Sequence, residues 1–523
     1  MATTYDIAHL VPKKSATAGK SIASDYTKFV QGEIGVNTAD EKIFVKTSDN
    51  TQAVFSSDSV RKKENDATYL ALSGGTVSGV TTFTKEVNVS GVTTFNDKVN
   101  MPYMGKMEAI QDVISGNAYV TSAALNDLNT NKADKTDVVM KNELYNTLYP
   151  KYTLEQTSNP EFKISNKDNV AFQAYTDAMG GYMLYFGEGK TGKVYAAKLD
   201  TQNWNKFADG TEVTSGISSA CETMVHVPKC YFRASGQTMT FGGLTDIGGQ
   251  SFNSPEWVGA YLMQVDSNSV GHSRPDVSPS YSMTMSTFWN CAQNLHQNAG
   301  LMNYDFYCLI NTLYQVGWGN LNSQKTIGAN VINTSYWEKW RDVAMGRTRT
   351  LGDGTGSIAN SDASTVGVDS CVKLLGFEDL WTKLWQFLPG IRFYMSGGTR
   401  YALVYSGNVV SNTITEGRLF SYPIRSALGS FVNKMRLGEY WDMLPIAING
   451  SDSTYYCDAT WASTSGELLG SGGDGDFSSQ CGLSHTASLN AFSVSGADFG
   501  ARLAFYGGVS IISGSELAAK VGA

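Results

Sequence analysis

The sequence predicts an α+β globular domain at the C-terminal end, carried on an N-terminal all-β and coiled-coil trimeric shaft. Three observations lead there. All ten tryptophans and all seven cysteines lie between Trp204 and Cys481, so the capacity to build a core is concentrated in the last two thirds of the 523 residues. Residues 1–105 are rich in Thr, Ser, Val and Gly in short alternations, and residues 106–155 carry helical spacing.

Within the first 70 residues, Gly32 to Lys46 reads as two strands, Ile34/Val36 and Ile43/Val45, joined by a polar turn. Residues 71–105 contain a repeat. Ser78-Gly-Val-Thr-Thr-Phe83 recurs as Ser90-Gly-Val-Thr-Thr-Phe95, and Val87 and Val99 keep the same offset. Two glycine-turn-plus-strand units expose too much apolar surface to stand alone. A three-chain β-prism is favoured over the edge of a β-sandwich. In residues 106–155, Ala124, Leu125 and Leu128 form one seam and Met140, Leu144 and Leu148 another, with Thr136 or Asp137 as cap and Pro150 as stop. Helices this short need a partner. A three-chain coiled coil supplies it, and an intramolecular helical hairpin is the alternative.

The globular region spans residues 156–523. Val225 to Phe232 is expected as a strand entered through Pro228, and Glu256 to Tyr261 as a second. Phe288 to Leu295 and Phe306 to Val316 have helical spacing, the latter stopped by Gly317-Trp-Gly319. Two helices followed by many short strands and Gly/Ser loops make the class α+β. The chain ends on a polar stretch, Ser478 to Asp498, and then a tight run, Gly500 to Phe505, in which Leu503 and Phe505 share one side at period two. The first reads as a displayed surface and the second as the strand that clamps it.

Two resemblances add to this reading. Gly32 to Lys46 resembles the N-terminal region of bacteriophage fibre proteins, which implies that residues 1–70 attach the chain to other virion proteins. The Tyr261 strand, the Ser273-Arg-Pro-Asp276 loop, Gly376 to Phe387, and Cys481-Gly-Leu-Ser484 with Gly500-Ala-Arg-Leu-Ala504 resemble the C-type-lectin-like fold. The branch is the one shared by formylglycine-generating enzymes and the variable proteins of diversity-generating retroelements. That second resemblance implies that Ser478, Ser479, His485, Thr486, Ser488, Asn490, Phe492, Val494, Ser495 and Asp498 contact a receptor. Two departures weigh against the enzymatic branch. Thr382-Lys-Leu-Trp-Gln-Phe387 has Lys383 and Gln386 where calcium ligands would sit, and Cys457 and Cys481 are far apart in sequence.

Other chemistry finds little support in the residues. The five histidines are isolated, and the seven scattered cysteines have no zinc spacing, so no metal or cofactor is expected and buried reduced thiols are. Asp276, Glu378 and Asp379 are the carboxylates a glycosidase reading would use, and Gly472-Gly-Asp-Gly475 lacks the lysine of a phosphate loop. With 40 basic and 48 acidic residues, the net charge of −8 excludes a nucleic-acid surface. The opening residues do not have the pattern of a secretory signal, and no run approaches the roughly 20 apolar residues of a membrane span. The expectation is a homotrimeric phage fibre, assembled in the host cytoplasm and carried on the virion, that binds a host surface glycan or protein without catalysis. A capsid-attached head fibre and a tailspike depolymerase are the alternatives.

Overall fold

Four strands near the N-terminus, Lys13–Ser15, Ile34–Asn37, Lys42–Ser48 and Thr51–Ser56, pair in sequence order. The first pair is parallel and the other two are antiparallel. Ile34 sits opposite Val45 and Val36 opposite Ile43, the pairing that the alternation of the two stretches predicts. In this computed structural model the described residues are 13–15, 34–37, 42–48, 51–56, 151–153, 163–164, 170–329, 337–359 and 370–522. They fall into two units, Met1–Glu143 and Leu144–Ala523. The repeat of residues 71–105 and the helical seams expected at 124–148 lie outside the described residues.

The second unit starts earlier than the expected boundary at 156. Lys151–Thr153 is a strand antiparallel to Thr238–Gly243, so the helical segment does not extend to 155. The extended Tyr152 and Thr153 lie between Thr238–Gly243 and Lys163–Ile164 in a five-stranded sheet.

Two seven-stranded sheets form the frame. The first runs Ala299–Leu301, Arg502–Phe505, Trp257–Leu262, Glu222–His226, Gly180–Tyr185, Tyr195–Lys198 and Ser510–Ile512. The last strand of the chain therefore pairs with one of the unit's first, in parallel, with Ile511 opposite Ala196. The second sheet runs Leu444–Ile448, Ala427–Arg436, Ala459–Ala462, Thr486–Ser488, Gly470–Ser471, Trp385–Phe387 and Phe499–Gly500. A separate three-stranded antiparallel sheet comprises Ile391–Ser396, Thr399–Val404 and Arg418–Ser421.

Both expected helices form. Met285–Leu295 is capped by the Thr284 hydroxyl, which accepts from the Thr287 amide. Tyr304–Trp318 is capped by Asn303 and ends on Gly319 in the left-handed conformation. Residues on every side of this second helix are buried, including Asn311, Thr312 and Gln315, so it runs through the core rather than over it. The single strand expected over Val225 to Phe232 is instead two, Glu222–His226 and Tyr231–Ser235. Pro228 has no N–H for a ladder and divides them.

The closing run forms the expected buried strand, and burial extends beyond the Leu503/Phe505 side. Arg502, Leu503, Ala504 and Phe505 are all buried, because the strand lies inside the first sheet between Ala299–Leu301 and Trp257–Leu262 and both its faces are covered. Arg502 is the reason these parts meet. Its fully buried guanidinium donates to the Gly259 and Ala260 carbonyls at 3.0 and 2.8 Å and to those of Glu378 and Asp379 at 2.7 and 3.2 Å. Its Nε donates to Gln386 Oε1 at 2.9 Å. One planar fork thus ties three remote segments together. Burial pushes its pKa down to about 10, which leaves it charged at neutral pH. We expect Arg502→Met to cost at least about 3 kcal/mol in denaturant unfolding, since buried carbonyls lose charged donors. Arg502→Lys should recover only a minor part, because an ammonium cannot span the same acceptors.

Candidate functional site

The C-terminal stretch from Gly470 to Gly500 is threaded through the second sheet, and this divides it into parts with opposite fates. Gly470–Ser471 pairs with Thr486–Ser488, and Phe499–Gly500 lies parallel to Trp385 and Gln386. Between them come a 3₁₀ turn, Gly475–Gln480, a buried passage through residues 481–488, and a loop over residues 489–498. The entry to the turn needs glycine. Gly473 has φ +69°, and a Cβ there would lie 2.4 Å from Cys481 Sγ and 2.5 Å from His485 Nδ1.

Three of the ten expected contact residues belong to the core, which corrects the reading of the whole stretch as display. His485 is 0 % exposed, with its ring 4.5 Å from that of Trp385 and Nδ1 3.0 Å from Cys481 Sγ. Thr486 shares a hydroxyl contact with Thr460 at 3.1 Å. Ser488 takes Arg400, whose buried guanidinium donates to the Ser488 carbonyl at 2.6 Å and to the Gly466 and Ile424 carbonyls at 3.2 and 2.9 Å. Their polarity was legible in the sequence, but their internal partners were not, and the buried His485 Nε2 has no hydrogen-bond partner among the described residues.

The other seven lie in the two flanking pieces. Ser478 and Ser479 are in the 3₁₀ turn, with Ser479 exposed. From Ala491 to Ala497 exposure alternates: Ala491, Ser493, Ser495 and Ala497 point outward, while Phe492 and Val494 are half-buried against the core. Asn490 and Asp498 are half-buried at the ends of the loop. The outward positions are therefore the odd-numbered ones, of which the sequence reading singled out only Ser495.

The loop is pinned at several points. Glu467 donates its amide to the Asn490 carbonyl at 2.9 Å and accepts the Phe492 amide on Oε2 at 2.8 Å. The Ser282 amide donates to the Gly496 carbonyl at 3.2 Å, and Trp385 donates to that of Asp498 at 2.9 Å. Arg341 stacks on the Tyr281 ring at 4.0 Å and reaches the Ala497 carbonyl. Beside the turn, Gly429 lies against Trp461 and Gln480 at a register break of its strand, and the preceding Leu428 is 69 % exposed. Leu428, Trp461, Tyr281 and Arg341 escaped the sequence reading, because only tertiary packing brings them to this face.

Catalytic use of these groups has a physical obstacle. Cys481 and His485 have the spacing of a thiol–imidazole dyad, but burial pushes the thiol well up and the imidazole down to about 3, so both stay neutral. All seven cysteines are buried and reduced. Glu378 is spent on the Gly346 and Thr348 amides and the Thr348 hydroxyl, and Asp379 pairs with Lys383 at 3.4 Å. Asp276 is held by both Nη groups of Arg349 at 2.9 Å. Gln386 donates to the Asp379 and Leu380 carbonyls, so where the resemblance would put a calcium ligand this chain has an internal tie. Among the described residues no cluster of three His, Cys, Asp or Glu side chains is placed to hold a metal ion. A depression of about 280 Å³ bounded by Lys193, Asn298, Phe505 and Ser510 lies elsewhere. The nitrogens of its His296 are engaged by the Asn298 amide and the Gly192 carbonyl.

Carboxylates crowd the two display pieces. Burial, with Asp498 and Asp476 nearby, raises Asp474 to about 7, and burial also raises Asp498 and Asp476. A carboxyl whose folded pKa lies above its unfolded value holds its proton more tightly in the fold. Its contribution to stability is then present at low pH and declines as pH rises from about 4 to about 7. Asp474→Asn should flatten that decline in melts taken across this window. Substitutions at Ala491, Ser493 and Ser495 should leave unfolding within about 0.5 kcal/mol, whereas His485→Ala and Ser488→Pro should each cost well over 1 kcal/mol. No protein-family model and no curated protein matches this chain.

Proposed function

We propose that the chain is a non-enzymatic bacteriophage fibre protein that adheres to a host surface ligand through the face formed by the Gly475–Gln480 turn and the loop over 489–498. The observation that carries this reading is the alternation along the loop. Outward side chains are small and make no core contact, while the intervening residues and the backbone are fastened to Glu467, Ser282, Arg341 and Trp385. A rigid support under tolerant positions lets ligand preference change without disturbing the fold. The N-terminal residues would attach to other virion proteins, and three copies on one fibre would raise a weak single-site affinity through effective concentration. The C-type-lectin-like resemblance of the last 300 or so residues supports the same placement of the binding face.

Exchange of residues 489–498 for those of a related chain tests the assignment. Host attachment should switch while the melting temperature stays nearly constant. Unchanged attachment with an unchanged melt would remove this face from the binding site. Light scattering of the full chain should give three copies per particle, and a monomer at micromolar concentration would remove the avidity argument.

A further inference from the structure

The three-stranded sheet next to this face carries a second surface that the display segment does not account for. Its inner side is core: Ile391, Phe393 and Ala402 are buried, and Phe393 packs on Tyr422 at 5.0 Å. Its outer side is unlike the rest of the molecule. Tyr394 and Tyr401 face each other across the strands with rings 5.7 Å apart and inclined by 24°. The Arg392 guanidinium lies 4.8 Å from the Tyr394 ring, and Leu419 on the third strand is 52 % exposed. Arg392 donates to the Asn412 carbonyl and makes no ion pair among the described residues.

Charge narrows the choice of occupant. Residues 391–437 hold Arg392, Arg400, Arg418, Arg425, Lys434 and Arg436 against Glu416 alone, in a chain whose net charge is −8. Arg400 is consumed in the core, and Arg418 and Arg436 reach Asp442. On the outer side of the three strands, Arg392 is the planar, charged fork beside the Tyr394–Tyr401 ring pair, with Leu419 on the same side two strands away. A guanidinium binds a carboxylate through two parallel hydrogen bonds, and aromatic rings accept the apolar C–H faces of a pyranose. The sheet is also tied through its backbone to the residue that supports the proposed binding face. The Phe393 amide donates to the Glu467 carbonyl at 2.8 Å, and Glu467 is the residue that holds Asn490 and Phe492.

We infer that the outer side of the Ile391–Ser421 sheet binds a carboxylated polysaccharide, with Arg392 holding a sugar carboxylate and Tyr394 and Tyr401 packing against the rings. This is a second contact surface, separate from the variable-looking loop, and it does not require the adhesion reading to hold. The intact protein is titrated calorimetrically with oligogalacturonate, with maltohexaose as a neutral sugar and polyglutamate as a carboxylated chain without sugar. Oligogalacturonate should bind saturably and the other two at least about ten-fold more weakly, as expected when a charge-assisted pair and ring contacts both contribute. Arg392→Gln and Tyr401→Ser, checked for unchanged melting, should each lose about ten-fold, and the protein with exchanged residues 489–498 should keep full affinity. Absence of oligogalacturonate binding overturns the inference. So does equal binding of polyglutamate, or full affinity in both point variants. Loss of affinity in the loop-exchanged protein would overturn the separateness of the two surfaces.

Discussion

A buried cation ties together remote parts of the second unit. Arg502 sits at 0 % exposure with its donors spread over the Trp257–Leu262 strand, the Glu378–Asp379 corner and Gln386. A buried guanidinium is costly unless every N–H finds an acceptor. Here the acceptors are mainly backbone carbonyls, and they exist in the right places only when the three segments have converged. The interaction therefore works as an assembly condition: the Arg502–Phe505 strand finds its acceptors only where the Trp257–Leu262 strand and the 378–387 corner have converged. Arg400 likewise collects the carbonyls of Ile424, Gly466 and Ser488, although its buried Nε meets no acceptor among the described residues.

These two clamps explain why a stretch composed of Ser, Gly, His and Thr behaves as core. Apolar burial of Leu483 and Ala487 is only part of what holds residues 481–488 in place. They are also held by hydrogen bonds of buried polar groups, such as the Ser484 amide on Asp458 at 2.9 Å and the Ser484 hydroxyl on Asn311 at 2.9 Å. Each such group would be expensive to leave unpaired, so the passage has one acceptable path. Its rigidity is transmitted to the turn before it and the loop after it. A contrast results within some twenty residues of chain: side chains that admit almost no replacement stand beside outward ones that bear no structural duty.

The charge distribution follows the same division. The turn and the loop carry Asp476 and Asp498, with the buried Asp474 beneath them, while the neighbouring three-stranded sheet presents Arg392 beside Tyr394 and Tyr401. An acidic face and a basic, aromatic face meet at Glu467, which bonds to both. Ligands that touch both surfaces would have their orientation set by this polarity, because like charges are excluded from each side.

Periodicity and punctuation in the sequence determined the local elements. The Tyr304–Trp318 helix with its Gly319 stop, the Ile34 to Val45 hairpin pairing and the burial of the thiols follow from residue spacing, caps and side-chain polarity, which act over a few residues. What only the tertiary structure decided was the inside and outside of the polar stretch. His485, Thr486 and Ser488 read as surface because nothing nearby in sequence could pair with them. Their partners, Cys481 apart, are Trp385, Thr460 and Arg400, supplied by remote strands. In the same way, the sequence marked Gly500 to Phe505 as a strand, but the fully buried Arg502 within it had no visible acceptor until residues 259, 260, 378, 379 and 386 were brought around it. Burial of a polar group is a property of the converged chain, so it is settled by topology and not by the residue's own character.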